Sequence, residues 1–499
     1  MKNVLFLPYS ILNLTEMRIR LYLIVLATWL FSVSLFGQTV HIGDIMCTDG
    51  SIISAASFPS SGRTAWGIVF YVDHTDAQGW AVALNNQSSS IKWCSDANYG
   101  YDIPDLPNME NARTAMHDLD GRGNTEIIRS HGNSNDFPAA WAVDYDNGWY
   151  LPSAAQLRYL FSCSPEINAS LQVAGGSPLP INNNIYWWSS SEFSAYHAYD
   201  MNTGGSIGDY VKDNHANYPT NGIGVRQIRD FTISNPVHPT YHIGDLITND
   251  DGSQGILFYV TPDQSDGWMV ALNDASTSAA WGNGDVSGLN NQTCSAPYGS
   301  LLNETDGFAN TGTIRTQQTG LNTAANVVDY EHGWYLPTAG QLSKLFGAFP
   351  FIESQLQTYG TTLSEAEYWS SSEADGSNAF TLSCANSGNV RSGHFARRDK
   401  TSNYRVREVR NLSFTNPSLP EPSLPDNIIE SDCNQPIEGS PWDIQLLYSN
   451  SSNNVASYAP ILAGDINGDG IVDIITARYS ISNYYAFKVD VYRGDNLSL

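Results

Sequence analysis

The chain has 499 residues, of which 41% are hydrophobic and 12% aromatic, a composition typical of packed domains and not of a disordered chain. Its length predicts roughly two to four domains, because a single core rarely extends so far. Acidic residues number 50 against 24 Lys and Arg, which gives a formal net charge of −26. This surplus argues against nucleic-acid binding through phosphate contacts and is compatible with a secreted protein or a cation binder.

The N-terminal segment, residues 1–37, has the pattern of a secretory signal peptide, and Met17 is an alternative start of translation. Arg18 and Arg20 precede an apolar run over 21–35, and Gly37 supplies a small residue at the expected cleavage point. The alternative is a signal anchor that stays in the bilayer. We expect a secreted or cell-surface protein without a membrane span after signal cleavage, because no later apolar run is long enough to cross a bilayer.

Two long copies of one sequence pattern follow, copy 1 over residues 38–235 and copy 2 over residues 236–415. Each copy contains the same motifs in the same order, and so long a period indicates a duplicated domain rather than a solenoid. The best-matched motifs are Gly148-Trp149-Tyr150-Leu151-Pro152 with Gly333-Trp334-Tyr335-Leu336-Pro337, Trp188-Ser189-Ser190-Ser191-Glu192 with Trp369-Ser370-Ser371-Ser372-Glu373, and Val225-Arg226 with Val406-Arg407.

A helix is predicted directly after the Gly-Trp-Tyr-Leu-Pro motif of each copy. Ser153 and Thr338 suit the N-cap position, and Gln156 and Gln341 stand three positions later, as in a capping box. Apolar residues then recur at helical spacing. Strand-like runs precede and follow these helices, so each copy is predicted to be α+β.

The last part of the chain follows a Pro-rich linker over residues 416–440 and spans residues 441–499. Its sequence predicts β-strands that flank a cation loop, in which oxygen-bearing side chains alternate around a glycine, as a hard cation such as calcium requires. The predicted calcium ligands are the side chains of Asp465, Asn467, Asp469 and Asp473 and the carbonyl of Ile471. An Asx turn without metal is the alternative.

The motifs of both copies resemble a bacterial domain of unknown function that is found at the C-terminus of a collagen-like adhesin and in secreted surface proteins. The resemblance covers residues 41–231 and 242–412. It implies a tandem of C-type-lectin-like domains, a fold shared distantly with formylglycine-generating enzymes and with the variable proteins of diversity-generating retroelements. The loop at 465–473 resembles an FG-GAP or VCBS-type propeller repeat, and we expect the remaining blades to be missing from this sequence.

In such variable proteins the ligand-facing residues lie between the Trp-Ser-Ser strand and the last strand, which corresponds here to residues 193–224 and 374–404. Tyr and Asn side chains suit an adaptable recognition surface, and ordinary loop residues are the alternative. The candidate ligand-binding residues are Tyr196, His197, Tyr199, Tyr210, Tyr218, Phe380, Asn386, Asn389, Arg391, His394 and Phe395. The sequence lacks the Glu-Pro-Asn, Gln-Pro-Asp and Trp-Asn-Asp motifs of calcium-dependent sugar binding in animal lectins.

Several repeated residues have both a structural and a functional interpretation. Asp120 and Asp306 are predicted to form turns before a helix rather than to bind a cation. Arg226 and Arg407 are predicted to pair with a carboxylate or with backbone carbonyls. The repeated tryptophans are predicted to lie in the core rather than to stack on sugars, and they are Trp80, Trp149, Trp188, Trp268, Trp334 and Trp369.

The cysteines and histidines carry less information. Among the six cysteines, Cys94 and Cys294 stand in matching sequences, and no shared disulfide framework can be deduced. His41 and His242 recur at the start of each copy. Glu192 follows three serines, but a serine nucleophile needs a positioned base, and no histidine recurs beside the motif.

We therefore expect a bacterial binding or adhesion protein that is secreted or held at the cell surface, and not an enzyme. Its two modules would present loops to an extracellular protein or glycan, and calcium would stabilise the propeller repeat. A secreted enzyme related to the formylglycine-generating fold is the first alternative. A non-binding architectural protein is the second, because a fold alone does not define a function.

Overall fold

The computed structural model describes residues 39–73, 78–180, 185–202, 205–213, 222–233, 241–289, 299–318, 322–383 and 395–414, and the backbone of three strands nearer the C-terminus. The chain forms two compact units that divide between Pro417 and Ser418. Copies 1 and 2 both belong to the first unit. The described part mixes strands with fewer helices, which confirms the α+β prediction at this level.

The elements of copy 1 alternate short helices with strands. The strands are β1 (Ile45–Cys47), β2 (Ile52–Ile53), β3 (Ala65–Val72), β4 (Gln78–Ala83), β5 (Trp149–Tyr150), β6 (Tyr186–Glu192), β7 (His197–Asn202), β8 (Ile207–Val211), β9 (Ile223–Gly224) and β10 (Ile228–Thr232). The helices are α1 (Phe58–Ser61), α2 (Ala112–Ala115), α3 (Gly121–Ser130), α4 (Pro138–Trp141), α5 (Ala154–Ser162) and α6 (Ser164–Ala174).

Copy 2 repeats much of this order. Its strands are β11 (Leu246–Thr248), β12 (Gln254–Val260), β13 (Asp266–Ala271), β14 (Ser276–Ala280), β15 (Trp334–Tyr335), β16 (Glu367–Glu373), β17 (Asn378–Ser383), β18 (Phe395–Asp399), β19 (Asn403–Val406) and β20 (Val409–Ser413). Its helices are α7 (Gly299–Leu302), α8 (Gly307–Gln317), α9 (Ala339–Gly347) and α10 (Phe349–Tyr359).

The described strands of each copy form two sheets. In copy 1 the strand orders are β2-β1-β3-β4-β10-β5 and β8-β7-β6-β9, and in copy 2 they are β11-β12-β13-β20-β15 and β14-β19-β16-β17-β18. Most neighbours are antiparallel, and β6 with β9 and β16 with β19 pair in parallel. The strand that carries the Trp-Ser-Ser-Ser-Glu motif therefore lies inside the second sheet of each copy.

The Gly-Trp-Tyr-Leu-Pro motif adopts the same local structure twice. Gly148 and Gly333 both have φ 83°, a left-handed conformation that favours glycine and that ends a short 3-10 turn before the strand. The predicted capping boxes are confirmed, since Ser153 and Thr338 cap α5 and α9 through reciprocal bonds with the glutamines three residues later. The whole of α5 and the whole of α9 are buried.

These two helices are buried along their length because they pack against each other and join the copies. Leu160 and Leu345 belong to one apolar cluster that extends through both copies. The helices approach closely at Gly347, where an added Cβ atom would lie 2.6 Å from Ser162 Cβ. Ser162 and Gly347 occupy equivalent positions after the two capping boxes, so this contact lies at the centre of an approximate two-fold arrangement.

Polar groups and aromatic rings complete the contact between copies. Lys344 Nζ donates to the carbonyl of Ser162 at 3.1 Å and to Glu166 Oε1 at 2.7 Å, and Tyr259 Oη donates to the same carboxylate at 3.0 Å. At the equivalent place on the other side, Tyr71 stacks on Phe351 with 4.8 Å between ring centroids. The two sides of the interface thus use different chemistry.

A second set of contacts between the copies surrounds Glu353. Arg113 and His117 of copy 1 both pair with its carboxylate, His117 Nε2 at 2.5 Å from Glu353 Oε2. Arg113 also donates to the carbonyl of Leu363 at 3.0 Å. The two copies are therefore joined by a continuous core and by ion pairs.

The second unit contains a three-stranded sheet in the order β21 (Leu462–Gly464), β22 (Asp473–Ser480), β23 (Asn483–Tyr492). Gly464 and Asp473 are partners in the antiparallel pair, so the predicted cation loop connects two adjacent strands. The strand assignments on both sides of the loop are confirmed.

Candidate functional site

Each copy buries a lysine–glutamate ion pair, in which the glutamate is the last residue of the Trp-Ser-Ser-Ser-Glu strand of the second sheet. Lys212 pairs with Glu192 in copy 1, and Lys400 pairs with Glu373 in copy 2. All four side chains are at most 1% exposed. Burying two charges is costly unless both are paired and hydrogen-bonded, and each lysine here meets a carboxylate and a tryptophan ring. The rings are those of Trp93, 4.7 Å from Lys212 Nζ, and Trp281, 4.6 Å from Lys400 Nζ.

Burial opposes the charged form of both partners in copy 1. It raises the pKa of Glu192 to about 7 and lowers the pKa of Lys212, and each partner's charge acts against these shifts. Lys400 is further held by the carbonyl of Gly284, to which its Nζ donates at 2.7 Å. The pair is therefore a structural support of each copy.

The backbone of the lysine connects two surface segments in the same way in both copies. The amide of Lys212 donates to the carbonyl of Tyr196 at 3.0 Å, and the amide of Trp93 donates to the carbonyl of Lys212 at 2.9 Å. In copy 2 the amide of Lys400 donates to the carbonyl of Ser377 at 3.0 Å, and the amide of Trp281 donates to Lys400 at 2.8 Å. These bonds make Tyr196 and Ser377 equivalent positions.

The loop that follows the tryptophan differs in length between the copies. Glu192 accepts a hydrogen bond from the amide of Ile103, and Glu373 Oε1 accepts one from the amide of Val286 at 3.0 Å. The loop between tryptophan and this amide covers residues 94–102 in copy 1 but only residues 282–285 in copy 2. Copy 1 therefore carries extra residues on its outer surface.

These extra residues place tyrosines on the surface. Tyr99, Tyr101 and Tyr196, which we call the tyrosine face, are 41%, 39% and 53% exposed. Tyr99 and Tyr196 meet edge to face with 5.2 Å between ring centroids, and an added Cβ at Gly100, which has φ 87°, would lie 2.9 Å from the Tyr196 ring. The close approach of Gly100 fixes the ring of Tyr196 beside the loop. Large exposed aromatic groups are typical of recognition surfaces.

Copy 2 has charged groups near the equivalent position. Asp375 pairs with Arg397, and Glu367 pairs with Arg398, its Oε2 accepting from Nε at 2.7 Å. In copy 1 the equivalent strands carry a hydrogen bond between His197 Nδ1 and Asp209 Oδ2, which lie 2.6 Å apart. The two copies therefore share an internal support and present different outer surfaces.

The hydroxyl groups of the Trp-Ser-Ser-Ser-Glu motif are engaged inside the fold. Ser189 Oγ donates to the carbonyl of Tyr199 at 2.8 Å, and Ser191 Oγ donates to Asp118 Oδ2 at 2.5 Å. Copy 2 repeats this arrangement with Ser372 and Glu304. The two hydroxyls thus have structural partners, and burial raises the pKa of both Asp118 and Glu304 above the ordinary carboxyl value.

The structure sorts the candidate ligand-binding residues into three groups. Tyr196 is exposed as predicted, His197 is engaged with Asp209, and Tyr210 is partly buried. The prediction of a surface role is wrong for Tyr199, Phe380 and Phe395, which are at most 2% exposed because they point into the core from strands β7, β17 and β18. The remaining candidates lie outside the described residues, and they are Tyr218, Asn386, Asn389, Arg391 and His394.

The predicted calcium ligands Asp465, Asn467, Asp469 and Ile471 also lie outside the described residues. Asp473 begins strand β22, and only its backbone is described. Within the described ranges, no group of three or more His, Cys, Asp or Glu side chains is arranged to hold a metal ion. Among the helices of those ranges, none combines the length and apolar content that a bilayer span requires.

Other structural interpretations are confirmed. Asp120 and Asp306 cap helices α3 and α8, each accepting from the amide three residues later. Trp149, Trp188, Trp334 and Trp369 are buried, while Trp80 and Trp268 are half-buried and stack on tyrosines. These positions belong to the scaffold of the two copies.

The two repeated arginines also have the predicted partners. Arg407 Nε donates to Asp274 Oδ1 at 2.7 Å. Arg226 Nη2 donates to the carbonyl of Leu84 at 2.9 Å, and its Nη1 donates to Asn86 Oδ1 at 3.0 Å. Copy 1 therefore holds its buried guanidinium with amide and carbonyl oxygens, where copy 2 uses a carboxylate.

A cavity of about 370 Å³ lies between the copies, and its lining includes Tyr71, Phe351 and the two repeated histidines. His41 Nδ1 lies 3.6 Å from Asp44 Oδ2, and His242 Nδ1 lies at a similar distance from the carboxylate of Asp245. These histidines belong to equivalent turns at the start of each copy.

Tyr99 and Tyr101 were not among the predicted ligand-binding residues because they precede the stretch 193–224 that the resemblance assigns to the ligand, and the cysteine match concealed the longer loop that carries them. The structure shows Trp93 and Trp281 as equivalents, since their Nε1 atoms donate to the carbonyls of Ser189 and Ser370 at 2.9 and 2.8 Å. Gly282 therefore stands where copy 1 has Cys94, and the match of Cys94 with Cys294 is wrong. Cys294 itself lies outside the described residues, and aligning on the tryptophans reveals the longer loop.

Comparison with known proteins adds no family to this description. No protein-family model matches the chain, and no curated protein matches it. The functional proposal below therefore depends on the residues and contacts described above.

Proposed function

We propose that this chain is a bacterial binding or adhesion protein, secreted or held at the cell surface, that recognises an extracellular partner through the tyrosine face of copy 1. The observation that supports this proposal is the exposure of Tyr99, Tyr101 and Tyr196 beside a buried ion pair, whose lysine donates to the carbonyls of Tyr101 and Tyr196. Exposed tyrosines offer contact area with few rotatable bonds, so little conformational entropy is lost on binding.

The difference between the copies supports a recognition role for this surface. Copy 2 keeps the Lys–Glu pair and the tryptophan but has Ser377 at the position of Tyr196 and a shorter loop. A framework that needed the tyrosines for stability would require them in both copies. The tyrosines are thus additions to a scaffold that folds with or without them.

The proposal includes the fold of the modules. We infer that copies 1 and 2 are C-type-lectin-like modules, and the motifs that carry this resemblance do recur in equivalent structural places. The second unit would be part of an FG-GAP or VCBS-type propeller, with calcium held between β21 and β22. The oxygen-rich composition of 465–473, between strands that pair at Gly464 and Asp473, supports a structural cation there.

The test is binding of the full chain to an array of extracellular proteins and glycans, with and without a calcium chelator. A Tyr99→Ser/Tyr196→Ser variant should lose the ligands that the unchanged chain binds. An Asp375→Ser/Arg397→Ser variant is the matched control, because it removes exposed side chains from the same region of copy 2. If the tyrosine variant keeps all ligands while the control loses them, recognition lies on copy 2 and the proposal is wrong.

The chelator separates the two units. Retained binding in its presence is expected, because the tyrosine face needs no metal. Loss of binding together with loss of folded structure in the second unit would assign calcium a structural role there. Loss of binding without any structural change would contradict recognition by the tyrosine face alone.

A further inference from the structure

Negative charge surrounds the tyrosine face. Asp96, Asp102 and Asp105 lie in or directly after the loop that carries Tyr99 and Tyr101, and all three are exposed. The side chain of Asp96 is 76% exposed although it pairs with Lys92. The carboxylate of Asp102 accepts a hydrogen bond from Asn108 Nδ2 at 2.9 Å, which fixes its position without neutralising it.

The cationic groups described near this face are already engaged. Lys212 is buried against Glu192, and Lys92 pairs with Asp96. A surplus of carboxylates therefore remains on the described part of the loop. The whole chain has a formal net charge of −26, so its long-range field also attracts cations.

Aromatic rings and carboxylates attract the same kind of group. The face of a tyrosine ring carries negative potential and binds an ammonium or guanidinium group placed over it. A carboxylate within reach adds a charge-assisted hydrogen bond to that group. A neutral glycan would stack on the rings and hydrogen-bond to the carboxylates but gain no charge attraction, and a nucleic acid would be repelled by the acidic residues.

We propose that the tyrosine face binds a lysine- or arginine-bearing segment of another protein. This inference depends on the proposed function and names the chemical class of its partner. The ammonium or guanidinium group lies against the exposed tyrosine rings, and Asp102 and Asp105 supply the opposing charge. Electrostatic attraction brings the basic segment to the acidic chain, and the rings provide the selectivity.

The first experiment is a titration of the full chain with a peptide of alternating lysine and glycine, and with a matched peptide of glutamate and glycine. We expect the lysine peptide to bind and the glutamate peptide not to bind. Tyr99→Ser/Tyr196→Ser should weaken lysine-peptide binding roughly tenfold, the loss expected for two exposed cation–π contacts. The side chains are exposed, so unchanged circular dichroism and thermal unfolding should accompany this loss.

The second experiment separates the rings from the charges. Asp102→Asn/Asp105→Asn should weaken binding several-fold at low salt and little at high salt, because exposed charges are screened. The tyrosine variant should keep its deficit at both salt concentrations. Asp375→Asn in copy 2, which removes one negative charge at a partly exposed position, is the control and should leave peptide affinity unchanged.

Each outcome has a defined consequence. If the lysine peptide binds all variants equally, the attraction is non-specific and the inference is overturned. If the lysine peptide does not bind but the array ligands still depend on the tyrosines, the basic partner is wrong and the proposed function stands. If neither the peptide nor the array ligands respond to the tyrosine variant, the proposed function itself fails.

Discussion

Copies 1 and 2 keep the same interior and differ at the surface. Both bury a lysine against the glutamate of the Trp-Ser-Ser-Ser-Glu motif, and both hold that lysine under a tryptophan ring. Above this support copy 1 has a long loop with exposed tyrosines, whereas copy 2 has a short loop and ion pairs. The comparison separates residues that build the fold from residues free to contact a partner.

The most sensitive test of the shared interior is removal of one partner of the buried pair. Lys212→Met and Lys400→Met should each lower the free energy of unfolding by about 3–5 kcal/mol, because an uncompensated buried carboxylate remains. Chemical denaturation of the full chain, followed by tryptophan fluorescence, measures the loss. Adding Glu192→Leu to Lys212→Met should restore most of it. A loss in only one copy would break the proposed equivalence.

The buried arginines Arg226 and Arg407 have different partners, Asn86 and Asp274, and each partner can be replaced by the type found in the other copy. Asp274→Asn should cost about 2–3 kcal/mol, since Arg407 and Arg405 both lose a charge-assisted partner. Asn86→Asp should instead stabilise copy 1 by a smaller amount, because burial lowers the pKa of Arg226 to about 9 and a carboxylate would favour its charged form. Denaturation midpoints of both variants test this. If both variants change the stability equally and in the same direction, the two arginines do not differ in their need for a carboxylate partner.

The contact between α5 and α9 tests whether the copies depend on each other. Gly347→Val should destabilise the first unit by about 1–3 kcal/mol, because the new side chain overlaps Ser162 in a packed interface. The exchange Ser162→Gly/Gly347→Ser keeps one small residue opposite glycine and should cost much less. Thermal unfolding distinguishes the two variants. If both variants lose the same amount of stability, the loss does not come from overlap between the side chains of α5 and α9.

The smallest expected effect is a pH dependence of stability that arises from the buried carboxyl groups of Asp118 and Glu304. Burial raises the folded-state pKa of Asp118 above 3.8 and that of Glu304 above 4.5. Their favourable contribution is therefore complete below these unfolded values and is lost as the pH rises through the folded-state pKa. Asp118→Asn and Glu304→Gln should each flatten this decline, which pH-dependent chemical denaturation measures. A steeper decline in either variant would reverse the assigned direction.

Local signals in the sequence predicted the elements that depend on local chemistry. The capping boxes at Ser153 and Thr338, the aspartate caps at Asp120 and Asp306, and the buried tryptophans follow from residue type and spacing. Each needs only a few neighbouring residues. Such features form wherever the sequence allows them, so both copies show them at matched positions.

The candidate site was harder to predict because it depends on pairings across the chain. Glu192 recurs in a motif, but Lys212 and Lys400 stand in stretches without matching sequence and at different distances from the glutamate. The sequence also does not show which side chains of a strand point into the core. Tyr199 was therefore grouped with Tyr196, although the Tyr199 side chain points inward and the Tyr196 side chain points outward. Position within a segment does not reveal which face of a sheet a residue occupies.

The contact of Ser162 with Gly347 has a consequence for how the two copies diverge. In a homodimer with two-fold symmetry, every substitution at the interface occurs twice and must suit both sides. In this single chain each substitution occurs once, so Tyr71 can stack on Phe351 on one side while Tyr259 bonds to Glu166 on the other. Duplication within one chain thus removes the requirement for self-complementarity. One half can then specialise for recognition while the other half preserves the scaffold.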